Sequence, residues 1–163
     1  MNRWISATAV ALAVLASAAT AQALTLKGLG GQTATITPAE FAKLPHESLQ
    51  TSVRGEARTY EGMSLLELLR KVDGPWGNTL TGKELATVVL VTARDGFRVA
   101  YSIGELDPGT AKGKVFIVDR VDGKPLAAES GPFQVVVEND FRPARNARMI
   151  ETVELISLKS PSP

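Results

Sequence analysis

Residues 86–93 read ATVVLVTA, a run rich in β-branched side chains and free of charge. Such a run is expected as a strand covered on both faces, which places it inside a sheet and not at its edge. The rest of the chain must supply that sheet and its cover. Turn signals divide it at Asp73-Gly74-Pro75, Asp95-Gly96, Asp107-Pro108-Gly109 and Asp122-Gly123, because Asp, Gly and Pro each favour tight backbone reversal. The segments left between them are short.

Residues 24–36 alternate apolar and polar side chains around Gly28, Gly30 and Gly31, which predicts a β-hairpin. Four Thr/Ser-x-x-Glu spacings follow: Thr37 with Glu40, Ser64 with Glu67, Thr81 with Glu84, and Ser102 with Glu105. Each is the pattern of a capping box, so each predicts the start of a short helix. Leu65, Leu66, Leu68, Leu69 and Val72 give the second helix a wide apolar face, with about 1.5–3 kcal/mol expected from burying each side chain. Residues 50–60, 97–101, 114–121, 133–137 and 149–158 read as β-prone or as strands. Helices and strands do not alternate regularly. The expected fold is therefore α+β, with a mixed or antiparallel sheet and short helices, and not a doubly wound parallel sheet.

The first residues stand apart. Arg3 precedes an apolar run over residues 5–19, and Ala21-Gln22-Ala23 is a small-x-small cleavage site. That is the pattern of a secretory signal peptide, with cleavage expected after Ala23, within a residue or two. The expected organisation is a signal peptide over 1–23, one domain over 24–158 and a flexible tail over 159–163. The mature chain is expected to be exported, secreted or periplasmic, without a membrane span. Losing Arg3 balances the 18 Lys and Arg against the 17 Asp and Glu. A balanced domain is not a general nucleic-acid or membrane binder. The absence of cysteine excludes disulfides, thiolate nucleophiles, thiolate metal ligands and redox pairs. No dinucleotide fingerprint, phosphate-cradling loop or metal-ligand spacing is present, so no metal site is expected.

Positive charge concentrates in one place. Residues 131–148 read GPFQVVVENDFRPARNAR, an apolar strand followed by a loop carrying Arg142, Arg145 and Arg148. Arginine presents a planar fork that matches carboxylate or phosphate oxygens two at a time. Pro143 stiffens the loop before any ligand arrives. The three arginines are candidate ligands for a small anion. The alternative is that they pair with Glu138, Asp140, Glu151 and Glu154, an arrangement worth about 0–1 kcal/mol per surface pair. His46, the single histidine, is either a surface residue after the helix-ending Pro45 or a lining residue of the same pocket, as is Arg54.

Several pieces, in order, resemble the molybdopterin-binding domain of the sulfite oxidase family, above all its small exported bacterial members. They are TPAEFAKLP, TYEGMSLLELLRKV, VTARDGFRVAYSIGELDP, VFIVDRVDGKPL and GPFQVVVENDFRPARNARMIETVEL. The resemblance covers residues 24–158. It implies the mixed α+β sulfite-oxidase-type fold, which in the full enzymes cradles a molybdenum–pterin cofactor through basic and hydroxyl groups, with a cysteine sulfur on the metal. The segment that would carry that cysteine spans residues 49–60 and offers Thr51, Ser52 and Thr59 in its place. Ser52 lies nearest the expected position. A serine hydroxyl is a poorer ligand than a thiolate.

Three readings follow. The first is an exported module that binds an anionic small molecule, or a molybdopterin-type cofactor, without turning it over, through Arg142, Arg145, Arg148, Arg54, His46 and Ser52. The second is a molybdopterin-dependent oxidoreductase with non-cysteine metal coordination. The third is a cofactor-free domain that binds an exported protein partner.

Overall fold

The computed structural model describes residues 22–53 and 55–158. The signal peptide expected over 1–23 lies almost wholly outside the described residues, as do the tail over 159–163 and Arg54.

The described residues form two mixed or antiparallel sheets and three short α-helices, with short 3-10 turns between, an α+β architecture. Strands β1 (Leu24–Lys27) and β2 (Thr33–Ile36) make the predicted hairpin. With β5 (Thr87–Ala93), β6 (Arg98–Ser102) and β10 (Ile150–Ser157) they form the first sheet, in the order β2-β1-β10-β5-β6. The β1–β10 pair is parallel and the others are antiparallel. The second sheet runs β3 (Glu47–Val53), β4 (Glu56–Ser64), β7 (Val115–Val121) and β8 (Lys124–Pro125). There β9 (Gln134–Val137) pairs with β7.

Strand β5 is interior, between β10 and β6, as its composition predicts. It is not covered on both faces. Thr87, Val89, Val91 and Ala93 are buried, whereas Val88, Leu90 and Thr92 are only half-buried. The strand buried throughout is β9. Strand side chains alternate between faces, so Val135 and Val137 enter the main core with Phe133, while Val136 joins Leu49, Tyr60, Phe116 and Val118 in a second, smaller cluster. The second sheet thus has apolar cover on both sides, and the first does not.

Two of the four expected capping boxes form. Thr37 opens α1 (Pro38–Phe41), its hydroxyl accepting the Glu40 N–H while the Glu40 carboxylate accepts the Thr37 N–H. Ser102 and Glu105 do the same for α3 (Ile103–Leu106). The other two do not. Ser64 is the last residue of β4, and its side chain makes no cap to α2 (Leu65–Leu69). Thr81 likewise caps nothing, and the turn after it is 3-10 over Gly82–Ala86. Helix α2 is held by burial instead: Leu65, Leu66, Leu68, Leu69 and Val72 all lie in the main core. No helix among the described residues is long and apolar enough to cross a membrane.

Candidate functional site

After β9 the chain turns and runs back along that strand's open edge. Val135 N–H donates to the Ala147 carbonyl at 2.8 Å, and Val137 N–H donates to Asn146 Oδ1 at 3.2 Å. Met149 N–H donates to the Ser130 carbonyl at 2.9 Å, and Met149 holds a left-handed backbone with φ of 49°. A non-glycine residue held there by its surroundings marks a segment whose path is imposed. These bonds lock the backbone on both sides of Arg148, although the Arg148 side chain is exposed.

The three arginines of this loop meet different fates and share no hollow. Arg145 is engaged by two carboxylates. Its Nε and Nη2 donate to Asp140 at 2.9 and 2.7 Å, and its Nη1 reaches both oxygens of Glu105 at 3.2 and 3.1 Å. The guanidinium also lies 5.3 Å from the centre of the Tyr101 ring, and Tyr101 donates its hydroxyl proton to the Arg145 carbonyl. The Asp140 carboxylate foremost, and then Glu105, raise the Arg145 pKa further above its ordinary value. The expected pairing with Asp140 is present; the Glu105 partner was not anticipated. Arg142 is exposed and has neither an ion-pair nor a hydrogen-bond partner among the described residues. Arg148 is also unpaired among the described residues, but it borders two adjoining hollows.

Those hollows have volumes of about 490 and 310 Å³. They share Tyr60, Gln134 and Arg148. Tyr60 comes from β4, Gln134 from β9 and Arg148 from the locked loop. Tyr60 and Gln134 are each only 7% exposed, yet neither the phenol nor the carboxamide has a side-chain hydrogen-bond partner among the described residues. Neither group is a buried orphan: the buried side-chain atoms without a partner among the described residues are Asp73 Oδ1 and Thr87 Oγ1, so the phenol and the carboxamide open on the solvent of the hollows. Burial raises the Tyr60 pKa, with Arg58 and Arg148 acting against that rise. On the rim of the larger hollow, Arg58 is pinned by Asp122 and Glu56, each at 2.9 Å. Three residues line both hollows, an arginine unpaired among the described residues, a phenol and a carboxamide, with the carboxylates of Glu56 and Glu129 on the larger hollow and of Asp95 on the smaller. They can hold an anionic group and read a donor–acceptor edge.

The remaining expected residues lie elsewhere. His46 is half-buried, with Nδ1 2.7 Å from the Leu44 carbonyl, Nε2 3.0 Å from Asp119 and its ring against Phe41. That is a structural setting, joining the end of the α1 segment to β7. Ser52 is exposed on β3 and lines a separate depression with Phe141. Tyr60 and Gln134 were not singled out from the sequence as ligand-binding residues. Gln134 carried a readable signal: it is the one polar residue in the run FQVVV.

The donors do not fit the molybdenum centre that the resemblance implies. The chain has no cysteine, and among the described residues no cluster of His, Asp or Glu can hold a metal ion. Ser52 does not line either hollow bordered by Arg148. No protein-family model matches the chain, and no curated protein matches it significantly.

Proposed function

We propose that the chain is an exported binding domain for a small anionic molecule, held in the double hollow around Tyr60, Gln134 and Arg148. The observation that carries this reading is the convergence on both hollows of Tyr60, Gln134 and Arg148, whose side chains have no hydrogen-bond or ion-pair partner among the described residues. Ligand sites are typically hollows of about 300–1,000 Å³ with a few convergent polar groups, and these hollows fall in that range. Arg148 would receive a carboxylate or phosphate. The Gln134 carboxamide, donor and acceptor side by side, suits an amide-like edge such as that of a pterin ring. This keeps the molybdopterin-binding, sulfite-oxidase-type scaffold as the proposed origin of the fold, without its metal chemistry.

The test is thermal unfolding of the exported protein with inorganic phosphate or pterin-6-carboxylate. The reading expects a saturable rise in Tm that Arg148→Ala abolishes and Gln134→Leu weakens. No rise with either probe would overturn it. Metal analysis of the same preparation addresses the oxidoreductase reading: near-stoichiometric molybdenum would replace the present one.

One observation favours the partner-binding reading as a second function. Phe141 is fully exposed beside the unpaired Arg142, and aromatic and arginine side chains are the commonest anchors of protein interfaces. If Phe141→Ala leaves capture of exported proteins unchanged, that reading fails.

A further inference from the structure

The two hollows are not uniformly positive. In the smaller one, the unpaired Arg148 shares the wall with Asp95. Asp95 Oδ1 accepts the Phe97 N–H at 3.0 Å, which orients the carboxylate within the β5–β6 turn. No cation pairs with that carboxylate among the described residues. The same wall carries Phe97, 44% exposed, with Pro143 and Ala144. A cation and a carboxylate on one hollow, each unpaired among the described residues, disfavour a purely anionic guest, which would meet Asp95 without compensation.

We infer that the ligand of this smaller hollow is a zwitterion with an apolar side chain, of the α-amino-acid class. Its carboxylate pairs with Arg148, its ammonium group with Asp95, and its side chain lies against Phe97 and Pro143. This rests on the binding reading above and narrows it. The Gln134 carboxamide and the Tyr60 phenol are then available to the remaining donors and acceptors of the guest.

The experiment is calorimetric titration of the exported protein with three related probes. They are L-phenylalanine, 3-phenylpropanoate, which lacks the ammonium group, and 2-phenylethylamine, which lacks the carboxylate. Pterin-6-carboxylate is titrated in parallel. L-phenylalanine is expected to bind about fivefold tighter than 3-phenylpropanoate, the scale of a partly exposed ion pair. Asp95→Asn retains an oxygen for the Phe97 N–H and is expected to erase that difference, whereas Arg148→Ala abolishes binding of both carboxylates. Equal binding of L-phenylalanine and 3-phenylpropanoate, or stronger binding of 2-phenylethylamine, overturns the inference. If pterin-6-carboxylate binds through Arg148 while L-phenylalanine does not, the inference falls and the anion reading stands. If no probe binds, both fall. Circular dichroism and Tm of each variant confirm that folding is retained.

Discussion

Glu105 and Arg145 join two segments forty residues apart: Glu105 Oε1 accepts the Ser102 N–H that opens α3, and both its oxygens accept from Arg145 Nη1. One carboxylate therefore caps a helix and anchors the loop that carries Arg148. Arg145→Ala is expected to lower stability by about 1–3 kcal/mol, since charge-assisted bonds to Asp140 and Glu105 and the contact with Tyr101 are lost together. Arg145→Lys recovers only part, because an ammonium cannot reproduce the fork. Urea unfolding of the two variants measures this. A loss under about 0.5 kcal/mol, the scatter of neutral surface changes, would show that the network contributes little.

Gly62 is where β4 meets β7 across a shift in register. A Cβ there would overlap the Ile117 carbonyl oxygen and stand 2.6 Å from Val118 Cα. Both are backbone atoms and cannot step aside. Gly62→Ala is expected to cost about 3 kcal/mol or more, the range of overpacked interior sites. Gly55→Ala gives a comparison, since nothing lies within 4 Å of its Cβ position and only its φ of 86° opposes the change. Gly62→Ala should be clearly the worse of the two in thermal unfolding.

Both tyrosines of the chain should ionise late. Burial raises the pKa of Tyr60 and of Tyr101. A phenol whose folded pKa lies above its unfolded value of about 10 stabilises the fold fully below that pH and loses the contribution as pH rises through the folded value. Both tyrosinate absorbance steps should therefore lie above pH 10, and that of Tyr101, the more deeply buried, should come together with the loss of tertiary circular dichroism. Ionisation of either phenol near pH 10 in a folded chain would contradict the buried settings described.

If the chain is exported as proposed, Gln22 bears on where its signal peptide would be cut. Its Nε2 donates to the carbonyls of Met149 and Ile150 at 3.1 and 3.3 Å, and its Oε1 accepts from Arg94 at 3.1 Å. Cleavage after Ala23 would remove all three bonds. Ala19-Thr20-Ala21 is a second small-x-small stretch, and cleavage after Ala21 would keep them. The intact mass of the exported protein is expected to correspond to a chain beginning at Gln22; a mass for a chain beginning at Leu24 would contradict this.

The strands were legible because alternation and Asp-Gly turns act locally. Asp122 and Gly123 both take positive φ, as a tight hairpin turn between β7 and β8 requires. The cover of β5 was less legible: composition shows that a strand is apolar, but not which sheet receives packing on both sides. The fates of the arginines were least legible of all. Arg142, Arg145 and Arg148 look alike in sequence, and only tertiary contacts assign one to an ion-pair network and another to a hollow. Ser64 and Thr81 show the same limit: both carry the pattern that caps α3 at Ser102, itself the last residue of β6, yet neither side chain bonds the turn that follows it.

The most direct test of the double hollow is the NMR signal of the Gln134 side-chain amide during titration with pterin-6-carboxylate. The account predicts a saturable shift of that signal in the native chain and none in Arg148→Ala. Shifts confined to the neighbourhood of Phe141 and Arg142, with the Gln134 amide unmoved, would contradict it.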